Sequence, residues 1–343
     1  MRTIKVVIAG YGLVGRALTD LILENRQELA ERSDLHFSVV AAADLQGAAL
    51  YAEGFPLSKL HTIAWDTGSV AYYPDYGSKG LTALEAIELS GANMLVESTY
   101  TNLEHGEPAR THVLQAMALG MDVVLANKGP LALYDQELRQ AAARYGVGLA
   151  YSCASSAGLE ILPLVGSLGQ AGELLAIRGI FNATSQYILE QMAAGVGYAE
   201  ALAAAQKGGF AEADPTLDVG GFDSAVKLLH MSNHAWGLGY TIRQVAVTGI
   251  QELTPAMLQE AKQHNESYSL VAEARWQHDQ LQLKVAPARL PASDPLAGLS
   301  YQRKAAVLEC RTQGKQLLLS LSGGRAGLAG SVLADMVRLV RER

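Results

Sequence analysis

The sequence predicts an α/β protein in two domains: an N-terminal doubly wound parallel sheet, then an α+β domain. Three observations carry this. Over the first 152 residues, apolar β-branched runs alternate with runs of helical periodicity, the pattern of a mostly parallel sheet covered by helices on both faces. After Cys153 the rhythm changes, and strands and helices come grouped in blocks, as in an α+β fold. The chain of 343 residues also exceeds what one core usually holds, at about 100 to 200 residues per domain.

Taken in order, "IKVVIAG" reads as a buried strand, "LVGRALTDLILENRQEL" as a helix and "HFSVVAAAD" as a second strand. Next come the strand "NMLVEST", the helix "EPARTHVLQAMALG", the strand "MDVVLAN", the helix "LALYDQELRQAAARYG" and the strand "VGLAYSC". In the second half, "LLAIRGIFNATSQYIL", "TIRQVAVTGI" and "YSLVAEARWQHDQLQLKVAPARL" are β-rich, with a helical block expected from residue 187 to about 236. The C-terminal "GLAGSVLADMVRLVRE" is amphipathic and is expected to fold back on the first domain. The expected boundaries are 1–152 for the first domain, 153–322 for the second and 323–343 for the returning helix.

Composition excludes several function classes. With 27 basic against 34 acidic side chains the net charge is -7, which supports neither a nucleic acid nor an anionic membrane as partner. No window reaches the ~18 consecutive apolar residues of a membrane span, and "MRTIKVVIAG" runs into a glycine loop without a cleavage pattern. Two cysteines, Cys153 and Cys310, make no disulfide framework, so a cytoplasmic location is expected.

The first chemical motif is "GYGLVG", with Gly10, Gly12 and Gly15 in G-x-G-x-x-G between a predicted strand and a predicted helix. Gly10 permits the tight turn, Gly12 lets the backbone approach a pyrophosphate, and Gly15 lets the helix pack on the strand. Leu13 and Val14 lie in the same run, at the helix start whose amides face the anion. A dinucleotide site is the expectation, and a plain strand-to-helix turn the alternative. Asp44, ending the second strand, can accept hydrogen bonds from an adenosine ribose; its distance from Gly15 exceeds the usual ~20 residues, and the insert "RQELAERSD" accounts for the excess. No basic residue follows Asp44 closely, which leans the cofactor slightly from NADP toward NAD, with Lys59 or a distant arginine left as a partner for a 2′-phosphate.

Two further stretches end strands at the carboxyl edge, where ligands bind in such sheets. In "VESTYTN", Ser98, Thr99 and Thr101 read equally as cofactor contacts or as helix caps. In "LANKGPLAL", Asn127 and Lys128 lie just past a strand, where Lys128 is expected near the nicotinamide end of the cofactor, and Gly129-Pro130 turns the chain into a helix. Then "EADPTLDVGGFDSAVK", residues 212–227, gathers four carboxylates and a lysine in a chain only 18% charged. Asp223 and Lys227 stand i and i+4 on a predicted helix and share a face. As a surface ion pair they would be worth only about 0.3 to 0.5 kcal/mol.

Other constellations are weaker. His230 and His234 have i,i+4 spacing but no H-E-x-x-H and no third ligand, so no metal is expected. Cys153 lacks a histidine partner in sequence and reads as a small buried thiol.

"GYGLVG", "VESTYTN", "ANKGPLAL", "YILEQM", "ALAAAQKGGFAEADPTLDVGGFDSAVKL" and "DPLAGL" occur in an order and spacing that resembles homoserine dehydrogenases over nearly the whole chain. The resemblance is to the short form, without ACT or aspartate kinase domains. It implies a Rossmann-type first domain, a substrate and dimerisation domain, and a homodimer. The implied reaction is the NAD(P)-dependent interconversion of L-aspartate 4-semialdehyde and L-homoserine, the branch point toward threonine and methionine. It further implies that Lys128 and Lys227 form a catalytic lysine pair, with like-charge repulsion bringing one closer to proton exchange. Glu212, Asp218, Asp223 and Thr184 would bind the small amino-acid substrate, with Asp223 orienting the site; Asp214 has no assigned role. Such a substrate needs carboxylates for its ammonium group and a proton donor near its carbonyl oxygen.

The chain departs from the family pattern in places. Ser152 stands where the family commonly has glutamate, and Ser155-Ser156 where it has a glycine-rich run, in a region associated with a monovalent cation. Ala183 replaces a glycine near the substrate, and an added methyl group in a tight pocket costs about 1 to 3 kcal/mol. Arg325 is inserted among the late glycines. These departures leave open a same-fold oxidoreductase for a different amino-aldehyde or amino-ketone, and a non-catalytic dinucleotide sensor as a third reading.

Overall fold

A computed structural model describes residues 1–209, 211, 214–320 and 325–342. The chain divides into two compact units, residues 1–158 with 324–343, and residues 159–323.

In the first unit, β1 (Arg2–Ala9) leads through α1 (Leu13–Glu24) and α2 (Arg26–Ser33) to β2 (Leu35–Asp44). The expected single helix is therefore two. Asn25 ends α1 and its amide side chain bonds back to the Leu21 carbonyl, while left-handed Asp34 stops α2. The insert that lengthens the path to Asp44 is thus a helix of its own. A segment with no sequence-level assignment follows: β3 (Gly47–Leu50), α3 (Leu57–Thr67) and β4 (Gly77–Lys79). It extends the sheet antiparallel beside β2 and is stapled by Tyr51, Phe55, Tyr73 and Tyr76, whose rings pack at 4.3 to 6.4 Å.

Regular alternation then resumes with α4 (Ala83–Leu89), β5 (Met94–Glu97), α5 (Ala109–Ala118), β6 (Asp122–Leu125), α6 (Gly129–Tyr145), β7 (Leu149–Ala150) and α7 (Ser152–Ser156). Strand order is β4-β3-β2-β1-β5-β6-β7, and β1, β2, β5, β6 and β7 run parallel. All four residues of β5 and of β6 are buried, as expected of strands covered on both faces, whose sequences read as unbroken apolar runs. The chain order reverses between β1 and β5, and that switch point is where such sheets bind ligands.

The second unit contains α8 (Leu162–Gln170), β8 (Leu174–Ile180), α9 (Ala183–Ala193), α10 (Tyr198–Lys207), the single turn α11 (Thr216–Val219), α12 (Phe222–Trp236), β9 (Val245–Val247), α13 (Pro255–Gln263), β10 (Glu266–Gln277), β11 (Gln280–Pro291), β12 (Lys304–Cys310) and β13 (Gly314–Ser320). Its sheet has the order β13-β12-β8-β10-β11-β9, antiparallel except for β11 beside β9. The run expected to be β-rich from Leu174 to Leu189 is strand only to Ile180. Asn182 then caps α9, accepting from the Ser185 amide at 2.8 Å, because a side-chain acceptor there satisfies an amide the helix leaves orphaned. The long β run over 268–290 folds into a hairpin whose two-residue turn, His278-Asp279, takes φ of 47° and 62°. Both positive values match the twist of the flanking strands.

The last helix, α14 (Arg325–Arg341), belongs to the first unit. Val332, Leu333, Met336, Leu339 and Val340 join the core formed by Ile4, Val6, Ile8, Leu18 and Ile22. Buried Asp335 fastens it, accepting from the Ser152 amide and hydroxyl, both at 2.7 Å, and from Arg338 at 2.6 Å. Arg325, inserted in the sequence, opens this helix.

Candidate active site

In the first unit the glycine motif lies at the end of β1. Gly10 has φ of +92°, and a Cβ there would stand 2.5 Å from the Ser98 carbonyl group. Only glycine fits. At Gly12, by contrast, a Cβ would meet nothing within 4 Å, so the backbone faces open space. No side chain caps α1; its first amides, those of Leu13, Val14 and Gly15, come before the first intrahelical bond, which Arg16 donates to Gly12 at 3.0 Å. An unpaired helix start is an anion site. Gly15 itself packs, its Cβ position lying 3.0 Å from the Gly10 carbonyl and 3.1 Å from Ile8. The side chain of Leu13 is exposed and that of Val14 packs on the core, so these two contribute through their amides.

A cavity of about 600 Å³ opens beside this turn, within the size range of ligand pockets. Gly10, Gly12, Arg16, Asp44, Ser98 and Thr99 are among its walls. Ser98 is not a helix cap: its hydroxyl donates to the Gly10 carbonyl at 2.8 Å and ties the glycine turn to β5. Thr99 bonds through both amide and hydroxyl to the fully buried Glu97, and His112 approaches the same carboxylate oxygen at 3.4 Å. Asp44 faces the cavity but is partly committed, taking Ser69 and Val70 at 2.8 Å and the Gln46 amide at 2.9 Å. Arg16, adjoining the third glycine and singled out by no motif, lines the same cavity and donates to the Ala64 carbonyl at 2.9 Å. Lys59 instead stands over the Tyr73 ring. These features fit a dinucleotide: an open backbone for the pyrophosphate, orphan amides for its charge, and a carboxylate for a ribose.

Lys128 is the residue before α6, in the turn after β6. Asn127 beside it is buried and bridges two loops. Its amide donates to the Tyr100 carbonyl at 2.7 Å and the Thr99 carbonyl at 3.1 Å, and its oxygen accepts from the Gly129 amide at 2.9 Å.

In the second unit the charge run resolves into parts with different surroundings. Asp214 is exposed and accepts from the amide and hydroxyl of Thr216, which hold its carboxyl below the usual aspartate range. It is the solvated turn. Glu212 lies outside the described residues. Asp218, in α11, and Asp223, in the first turn of α12, converge on one side chain: the Asn182 amide donates to Asp218 at 2.6 Å and to Asp223 at 2.9 Å. Thr184 also bonds to Asp218. Lys227 donates to the same Asp223 oxygen at 2.6 Å and to the Phe181 carbonyl at 2.7 Å. Its side chain and that of Asp223 are each only 11% exposed, so this is no loose surface pair. Burial pushes the Asp218 carboxyl up, Asp223 adds to the push, and the Asn182 bond and Lys227 oppose it.

Asn182 is the residue that motif reading missed. The signal the sequence offers is Asn182 itself, a favoured helix N-cap residue type, inside a run expected to be β-rich. Ala183 is exposed in the first turn of α9. Its methyl group meets no packed core, and the overpacking cost expected from replacing glycine does not arise within this unit. Ser152, where a glutamate was expected from the family pattern, turns its hydroxyl to Asp335. Among the described residues no group of three or more His, Cys, Asp or Glu could hold a metal ion. His230 is fully buried, and Cys153 is part of the first unit's core.

A family model described as homoserine dehydrogenase matches residues 161–337. A homoserine dehydrogenase of Methanocaldococcus jannaschii is 31% identical over 335 residues, covering 97% of this chain and 98% of the relative. The chain belongs to the homoserine dehydrogenase family. An NAD(+)-dependent homoserine dehydrogenase of Pseudomonas canavaninivorans is 30% identical, covering 99% of this chain and 97% of the relative. The crystal structure of a homoserine dehydrogenase from Thiobacillus denitrificans superposes with a TM-score of 0.85 at 28% identity, covering 99% of this chain and 74% of that one. Family membership makes the protein an NAD(P)-dependent oxidoreductase of this type. No described helix is long and apolar enough to cross a membrane.

Proposed function

We propose that the protein interconverts L-aspartate 4-semialdehyde and L-homoserine, with Lys227 as the proton-transferring group and Asp218 as a carboxylate that receives the substrate's ammonium group. The observation that carries this reading is the cluster of Asn182, Asp218, Asp223 and Lys227. A part-buried lysine and two carboxylates are held there by bonds of 2.6 to 2.9 Å.

An ammonium group has three donors. Asp223 and the Phe181 carbonyl take two of Lys227's, which fixes the direction of the third. In the reductive direction that third N–H meets the oxygen of the substrate carbonyl and gives it a proton as the alkoxide forms; in the oxidative direction the amine takes the proton back. When bound, the nicotinamide supplies or accepts the hydride at the carbonyl carbon. Asp223 keeps Lys227 oriented, Thr184 and Asn182 hold Asp218, and Glu212 is proposed as a second partner of the ammonium group. Lys128, opening α6, is proposed as the second catalytic lysine.

NAD is the proposed cofactor over NADP. Asp44 lines the cavity, and a ribose hydroxyl can donate to a remaining lone pair of its carboxylate whereas a 2′-phosphate would meet like charge. Arg16 on the same wall is the residue that would offset this for NADP. The relative from P. canavaninivorans carries NAD(+) dependence in its name. A homodimer is proposed by likeness to the family.

The test is turnover of purified protein with aspartate semialdehyde, followed by NADH and by NADPH oxidation. The reading expects turnover with both and a higher kcat/KM with NADH. Turnover of a different amino-aldehyde or amino-ketone alone would move the chain to another substrate. Dinucleotide binding without turnover would make it a sensor.

A further inference from the structure

Asn127 holds the main chain on both sides of Lys128. Its two amide hydrogens reach the carbonyls of Tyr100 at 2.7 Å and Thr99 at 3.1 Å, and its oxygen takes the Gly129 amide at 2.9 Å. The side chain is 2% exposed, so water does not compete for these bonds. A second constraint acts from the other side of the lysine. A Cβ on Gly129 would stand 2.3 Å from the Asn102 carbonyl oxygen, so the β6–α6 turn is pressed against the β5–α5 loop with no room for a side chain. Thr99, one of the loop residues that Asn127 grips, is itself anchored through amide and hydroxyl to buried Glu97. The chain from Glu97 through Thr99 and Asn127 to Gly129 leaves the Lys128 backbone little freedom.

We infer that Asn127 is a positioning residue for the reaction, setting where Lys128 projects relative to the cavity wall formed by Ser98, Thr99 and Tyr100. The inference rests on the reading of Lys128 as a catalytic lysine. A fixed turn sets the Cα–Cβ direction from which the flexible lysine stem reaches its reacting atom. With the turn released that origin shifts, and misplacement by about 1 Å can cost ~100-fold in rate. Asn127 makes this contribution through Lys128, so its effect should vanish where Lys128 is already gone.

The experiment is a double-mutant cycle on the full chain with Asn127→Ala, Lys128→Ala and the double variant, reading kcat, KM for NADH and for aspartate semialdehyde, and thermal unfolding. Asn127→Asp is added because it keeps the acceptor for Gly129 and loses the donors to Thr99 and Tyr100. The expected result for Asn127→Ala is a fall in kcat of roughly 10- to 100-fold with KM for NADH changed by less than about threefold. The double variant should be no slower than Lys128→Ala alone, since groups acting as a unit are non-additive. Asn127→Asp should lose rate as well, since the loop carbonyls would then face an acceptor.

Near-normal turnover by Lys128→Ala overturns the lysine reading itself. An inactive Lys128→Ala beside an Asn127→Ala of normal kcat overturns only the positioning role. Effects that multiply in the double variant, or a rise confined to KM for NADH, also overturn it. If neither Asn127 variant shows a cooperative unfolding transition, Asn127 serves the fold and the inference fails.

Discussion

Replacing Asn182 by serine separates two jobs that one side chain performs. The asparagine oxygen caps α9, accepting from the Ser185 amide at 2.8 Å and its hydroxyl at 2.9 Å; the amide group clasps Asp218 and Asp223 at 2.6 and 2.9 Å. Serine is also a good N-cap but is too short to reach the carboxylates. Hydrogen bonds to charged groups are each worth about 1.5 to 3 kcal/mol, so losing two removes about 3 to 6 kcal/mol before water replaces part of them. Both carboxylates are part-exposed, and the net loss is expected at about 2 to 4 kcal/mol. For a unit of this size, that lowers the unfolding temperature by about 4 to 16 °C. Asn182→Ala should lose about 1 kcal/mol more, the cap included. With the two aspartates no longer held, KM for aspartate semialdehyde should rise at least roughly tenfold while KM for NADH stays put. Calorimetry and steady-state kinetics on both variants read this directly. A serine variant that unfolds at the wild-type temperature, or keeps its substrate KM, would refute the idea that Asn182 organises the cluster.

Further outcomes follow from the same geometry. Gly12→Ala should fold with unchanged stability, since its Cβ meets nothing within 4 Å, yet bind NADH more weakly in a fluorescence titration. Gly10→Ala should be destabilised by at least ~1 kcal/mol, because its Cβ meets the Ser98 backbone at 2.5 Å and its φ is left-handed. Asp335→Ala strands the buried Ser152 amide and hydroxyl and should cost about 1 to 3 kcal/mol in thermal unfolding. Burial and the neighbouring Asp223 raise the Asp218 carboxyl, so the folded state holds that proton more tightly than the unfolded chain. Its contribution to stability is therefore present at acid pH and lost as pH rises through the folded value. If the ionised form binds the ammonium group as proposed, the acid limb of kcat/KM should lie above the usual aspartate range. Asn182→Ser, by removing a bond that favours the charge, should move that limb higher.

The first unit was the more legible half, for a physical reason. Strands such as Met94–Glu97 and Asp122–Leu125 are buried on both faces, so they stand out as unbroken apolar runs between helices, and the glycine spacing marks where the ligand edge begins. The segment from Gly47 to Lys79 was not legible, because its order comes from four aromatic rings meeting in space and its strands are only four and three residues long. In the second unit, the run from Leu174 to Leu189 reads as β-rich throughout, although Asn182 is a favoured N-cap type and opens a helix. Asp223 and Lys227 were legible as one helix face. The convergence of Asp218 on the same amide was not, since it depends on a residue 36 positions earlier in the chain. Lys59 stands over the Tyr73 ring and Arg16 lines the cavity, a place that depends on how α1 meets the sheet.

The most direct test of the account is the rate of Lys227→Ala in both directions, alongside its affinity for NADH. The account predicts wild-type NADH binding, a cooperative unfolding transition at a lowered temperature, since part-buried Asp223 loses its cation, and a loss of at least ~100-fold in kcat, the range a positioned acid–base group supplies. Wild-type-like turnover by this variant would contradict the assignment of Lys227 as the proton-transferring group.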